Sequence, residues 1–171
     1  TAPPPPPPAE PSATHVGRLC TYEVFGQADA LPVHEAEDVC GERGGHLASF
    51  HDRLTMRGVS DVVPEGVTSL WIGLHDRHIE ASCNSTGFIW MDGTPTDFEN
   101  WAQGEPNDWL EGEANCHNPG EHEVAGEDCV ELYANGRWND QSCDSDRAFV
   151  CERDCAAYTP PPPPPPPVAT A

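Results

Sequence analysis

The chain has 171 residues, 20 prolines, no lysine and a formal net charge of −21. A field this negative repels nucleic acid and anionic membranes and favours cations, so those two partners are not expected. No run of about 18 apolar residues is present, so no membrane insertion is predicted either.

Two unbroken proline runs, residues 3–8 and 160–167, hold fourteen of the 20 prolines. Proline lacks an amide hydrogen and fixes φ, so both runs are expected to be extended polyproline II that buries nothing. The expected organisation is a linker over 1–17, one domain over 18–155 and a second linker over 156–171. Residues 19–25 read as a short strand. Pro32 suits the first turn of a helix. Val33, Ala36, Val39 and Cys40 recur at helical spacing until Gly44-Gly45 stops them. A second helix is predicted over 52–63, with Leu54, Val59, Val62 and Val63 on its apolar side. Leu70-Trp71-Ile72-Gly73-Leu74 reads as a buried strand.

Residues 76–127 are irregular, rich in Gly, Pro, Asn and Asp, and punctuated by Phe88, Trp90, Phe98, Trp101 and Trp109. A loop region this long inside a compact domain is usually functional or disordered, and the interspersed aromatics and cysteines favour an ordered loop. Beyond it, residues 129–133 form a predicted strand, Asn135-Gly136 a hairpin turn, and Arg137-Trp138 the start of the return strand. Phe149-Val150-Cys151 makes a last strand. The expected class is α+β: two helices, small antiparallel sheets and one large loop region.

Eight cysteines in so small a domain indicate a disulfide framework and an oxidising compartment. Zinc is the competing reading, but there is no Cys-x-x-Cys pair, and Cys151-x-x-x-Cys155 has no matching second pair. Asn84-Ser85-Thr86 is a glycosylation sequon consistent with secretion. The start at Thr1, without Met or signal peptide, suggests a mature product or a piece of a longer chain. Residues 105–154 hold 14 Asp and Glu against three Arg. Within them, Glu105-Pro106-Asn107 and Trp138-Asn139-Asp140 gather the acid and amide oxygens that hard cations such as calcium prefer. No Gly-x-Ser-x-Gly motif and no positioned nucleophile is evident, so the chain is not read as an enzyme.

Gly44-Gly45-His46-Leu47-Ala48-Ser49, Trp71-Ile72-Gly73-Leu74, Trp90-Met91-Asp92-Gly93-Thr94-Pro95, Asn100-Trp101, Glu105-Pro106-Asn107, Trp138-Asn139-Asp140 and Phe149-Val150-Cys151 resemble, in order, the landmarks of the C-type lectin domains. The resemblance spans about residues 20–155. It implies a disulfide-stapled lectin fold with a long calcium-binding loop region and two core disulfides, Cys40–Cys151 and Cys129–Cys143. The family's terminal strands lie side by side, which suggests Cys20–Cys155 and leaves Cys83 with Cys116.

By the same resemblance, a sugar-site calcium is held by Glu105, Asn107, Glu127, Asn139 and Asp140, with a cis bond before Pro106. A second calcium would use Asp76, Glu80, Asp108 and Asp128, so one or two Ca2+ ions are expected. Glu105, Asn107, Glu127 and Asn139 would also contact the sugar, and Trp109 is placed to stack on it. Glu-Pro-Asn implies mannose, glucose, N-acetylglucosamine or fucose. The unusually long connection over 108–126 makes Glu127 the least secure ligand, with Glu111 or Glu113 as substitutes. His117 and His122 are read as solvated loop residues. The expected partners are glycans or glycoproteins, met by several copies displayed on a larger secreted or extracellular protein. The alternative is non-sugar adhesion on the same fold, to protein, ice or mineral.

Overall fold

A computed structural model describes residues 10–16, 20–76, 87–107 and 127–156. In chain order the strands are β1 (Ala13–Val16), β2 (Thr21–Phe25), β3 (His46–Leu47), β4 (Ser69–Asp76), β5 (Phe88–Trp90), β6 (Cys129–Tyr133), β7 (Trp138–Gln141) and β8 (Ala148–Arg153), with helices α1 (Val33–Glu42) and α2 (Arg53–Ser60) between β2 and β4. Hydrogen bonding runs β1-β2-β8-β4-β6-β7, with β3 beside β8 and β5 beside β4. The pairings are antiparallel except β4 with β8, where Leu70 faces Ala148 and Trp71 faces Phe149 in parallel.

β4 explains how the core divides. Alternate residues of a strand face opposite sides. Leu70, Ile72 and Leu74 join a cluster with Trp90, Val130 and Trp138. Trp71 points the other way, into a cluster with Phe25, Val33, Ala36 and Phe149 beneath α1. A strand buried on both faces reads as a continuous apolar run, which is how residues 70–74 read in the sequence.

α1 buries Val33, Ala36 and Cys40, as its spacing predicts. α2 is shorter than its pattern suggested. Asp52 caps it by accepting from the Leu54 and Thr55 amides, and the helix buries Met56 and Val59. Leu54, expected on the apolar side, is 82% exposed. At about 100° per residue it lies far round the helix from Met56. Val62 and Val63 pack against the core from beyond the helix end. The sequence pattern does not predict β1, the two-residue β3 or β5. β1 is a four-residue edge strand on β2, and β5 pairs with β4 inside the region expected to be irregular.

Three disulfides join the described residues: Cys20–Cys155, Cys40–Cys151 and Cys129–Cys143. All three match the expected pairings. Cys40–Cys151 ties α1 to β8, and Cys129–Cys143 ties β6 to the chain just past β7. The Cys83–Cys116 pairing and the Asn84 sequon lie outside the described residues.

One acid sits deep in this framework. Glu152 on β8 is 3% exposed. It accepts from the Ser49 amide at 3.2 Å, and the Ser49 hydroxyl lies between it and Asp92, 3.1 and 2.9 Å away. Burial, and then the Asp92 charge, push the Glu152 carboxyl up to about 8. An acid that holds its proton more tightly when folded stabilises the fold fully below its ordinary pKa and loses that contribution as pH rises through the folded value. Glu152→Gln keeps the shape and cannot ionise. Thermal melts should therefore show the wild type losing Tm between about pH 5 and pH 9, and the variant losing distinctly less. Equal slopes would contradict this assignment.

Candidate functional site

The site is assembled by a strap of chain laid along β7. The Trp138 amide donates to Asn100 O at 3.0 Å, and the Ala102 amide donates to Trp138 O at 2.8 Å. The Asn100 side chain donates to Gly136 O and accepts from Arg137 Nη1 at 3.2 Å. Beneath the strap the Trp138 indole is fully buried. It meets Trp90, Phe98 and Trp101 nearly edge-on, with centroids 5.7, 5.6 and 5.8 Å away. Edge-to-face aromatic pairs each contribute about 0.5–1.5 kcal/mol beyond their burial. The two residues after Trp138 therefore leave a rigid anchor.

Beyond Ala102 the chain turns back. The Glu105 amide donates to Ala102 O at 3.2 Å, and Gly104 takes φ +97°, a conformation that glycine tolerates best. The Glu105–Pro106 peptide is cis. This turn sets Glu105 and Asn107 over β7. The Asn107 amide donates to Asp140 Oδ2 at 2.8 Å, and the Asn107 side chain donates to Glu105. Asp140 is fully buried and Asn139 is 8% exposed. Asn139 Nδ2 donates to Glu131 Oε1 at 3.0 Å.

Two carboxylates are crowded here. Burial, followed by the charge of Asp140 and a hydrogen bond with it, holds the Glu105 carboxyl above its ordinary range. The Tyr133 hydroxyl is also held up, by burial and then by the charges of Glu131 and Glu105, with Glu127 a smaller contributor. Like charges forced together are relieved by a cation. Carboxylate and amide oxygens are the donors that calcium takes. The chemistry of Glu105, Asn107, Asn139 and Asp140 thus suits that ion.

Of the five residues expected around the sugar-site calcium, the structure puts Glu105, Asn107 and Asp140 in contact, with Asn139 next in the strand. Glu127 is near enough to influence Tyr133 but does not complete a tight carboxylate trio. Among the described residues, the group of three potential ligand atoms within 4.8 Å is Cys20, Glu152 and Cys155. Its sulfurs are taken up in a disulfide, which leaves no thiolate for a metal. For the second calcium, the Asp76 amide donates to Asp128 O at 2.8 Å, so two of the four acids flank one hydrogen bond between β4 and the start of β6. Glu80, Asp108, Trp109, Glu111, Glu113, His117 and His122 lie outside the described residues. Glu131, Tyr133 and Arg147 were not singled out in the sequence.

Residues 29–153 match the family model described as the lectin C-type domain. Collectin-11 of Danio rerio is 34% identical over 122 residues, covering 70% of this chain and 38% of that protein. The chain spans well under half the length of the curated relatives it matches. Among solved structures, the cow C-type carbohydrate-recognition domain of CD23, determined in the presence of a GlcNAc2Man3 oligosaccharide, superposes with a TM-score of 0.64 at 30% identity, covering 88% of this chain and 98% of that one. A calcium-independent type II antifreeze protein gives a TM-score of 0.62 at 24% identity over 86% of this chain and 96% of its own, a likeness of fold alone.

The crowding of Glu105 and Asp140 is open to direct test. Asp140→Asn removes one charge and keeps an acceptor for the Asn107 amide. In calcium-free protein followed by NMR, the Glu105 carboxyl should then titrate at lower pH than in the wild type. An unchanged titration would show that Asp140 does not act on Glu105.

Proposed function

The chain belongs to the C-type lectin domain family, and we propose that it binds sugars through a calcium ion held by Glu105, Asn107, Asn139 and Asp140, with Glu127 as a further ligand. The observation that carries this reading is the hydrogen bond from the Asn107 amide to Asp140. It brings two sequence-distant oxygen-rich motifs into one cluster with two crowded carboxylates. Calcium takes six to eight oxygens at about 2.3–2.6 Å, and two neighbouring sugar hydroxyls would complete its shell. The surrounding carboxylates accept hydrogen bonds from those hydroxyls, and the amides of Asn107 and Asn139 donate to their oxygens. Acid at 105 with amide at 107 favours mannose, glucose, N-acetylglucosamine or fucose. The solved relative determined with a mannose-containing oligosaccharide supports that class.

Asp76 and Asp128, with Glu80 and Asp108, are proposed to hold a second calcium, and Trp109 to stack on the bound sugar. A single shallow contact of this kind binds at about millimolar strength, near 4 kcal/mol. Useful affinity then comes from several copies. The proline runs at residues 3–8 and 160–167 are proposed as spacers; eight prolines in polyproline II would span about 25 Å at roughly 3.1 Å per residue. The proposed setting is a glycan-binding module of a larger extracellular protein, with no catalytic role. Non-sugar adhesion is the alternative that the antifreeze likeness keeps in view.

Retention on immobilised mannose should require calcium and be lost on adding a chelator. Exchanging acid and amide, Glu105→Gln with Asn107→Asp, should move retention from mannose to galactose. Mannose retention that persists in chelator, or in the exchanged variant, would contradict the proposed chemistry.

A further inference from the structure

We propose that Glu131, held by Arg147, is a positioning residue for calcium binding: it fixes which end of the Asn139 amide is offered to the ion. The inference rests on the calcium site proposed above. Glu131 on β6 stands directly opposite Asn139 on β7, so both side chains share one face of the hairpin. Glu131 is 3% exposed, and its Oε1 accepts from Asn139 Nδ2 at 3.0 Å. Its other oxygen, Oε2, lies 2.5 Å from Arg147 Nε.

The direction of the Asn139 contact follows from the groups. An amide side chain has a donating and an accepting end, and a flip exchanges them. Arginine has donors only, so the Glu131 carboxyl accepts on the Arg147 side through Oε2 and offers Oε1 as an acceptor to Asn139. Asn139 must therefore turn its NH2 toward Glu131, and its carbonyl oxygen is the atom left for a cation. One of the two Nδ2 hydrogens is used on Glu131, and the second remains for a sugar hydroxyl. A neutral residue at 131 would let the amide turn either way, and half of those arrangements present NH2 to a cation.

Glu131 is itself anchored. The Arg147 guanidinium lies over the Trp71 ring, 5.5 Å from its centroid. The Arg147 backbone exchanges two hydrogen bonds with Leu31, at 3.0 and 3.1 Å, and Leu31 O also accepts from Trp71 Nε1 at 3.0 Å. A chain of contacts thus runs from the α1-side core through Arg147 and Glu131 to a proposed calcium ligand. Glu131 is buried and Arg147 half-buried, and such a charged pair is weak evidence of a role in stability alone.

Calcium titration by calorimetry on the intact chain tests the proposal. Groups that orient metal ligands typically change affinity by about 10–100-fold when replaced. Glu131→Gln should weaken calcium binding by about tenfold or more in a chain that still melts cooperatively in chelator. Glu131→Met with Arg147→Met removes both charges together, leaves no unpaired ion if the single change fails to fold, and should weaken binding similarly. NMR of the unaltered calcium-free chain should show one slowly exchanging Asn139 side-chain amide proton. Calcium affinity within twofold of the wild type in a folded variant, or two freely exchanging Asn139 amide protons, would overturn the positioning role. A wild-type chain that binds no calcium would overturn the underlying site as well.

Discussion

The strap over residues 100–102 is what the site depends on. Two backbone hydrogen bonds to Trp138 fix it against β7. From there a turn at Gly104 carries Glu105 and Asn107 onto Asp140. Without that pairing, two oxygen-rich motifs more than 30 residues apart in sequence would share no site. The strap in turn needs the buried Trp138 indole and its edge-on aromatic neighbours. Packed aromatic residues thus hold a polar cluster in place.

The disulfides place this assembly in a firm frame. Cys129–Cys143 encloses the β6–β7 hairpin, which carries Glu131, Tyr133, Asn139 and Asp140. Cys40–Cys151 joins α1 to β8, the strand that lies between β2 and β4. Cross-links of this kind restrict the unfolded chain, which suits a domain whose carboxylates repel one another. Calcium binding would add to that frame by relieving Glu105 and Asp140.

Much of this was legible in the sequence, for identifiable reasons. The continuous run at 70–74 marks a strand buried on both faces, and the Asn135-Gly136 turn marks the hairpin. Trp71, Trp90 and Trp138 are buried core residues, and Trp101 packs half-buried against the same core. Leu54 misled because an apolar residue on a short, half-exposed helix need not face the core. β5 was hidden because three residues are too few to show a period. Glu131 was overlooked among many acids, although the hairpin register places it opposite Asn139. Its pairing with Arg147 brings together β6 and the chain entering β8, which no local pattern reveals.

A crystal structure grown with calcium and methyl α-mannoside tests the central claim most directly. The account predicts an ion bonded to oxygens of Glu105, Asn107, Asn139 and Asp140, with two adjacent sugar hydroxyls completing its shell. Sugar bound elsewhere, or these four side chains surrounding only water while calcium is plentiful, would contradict it.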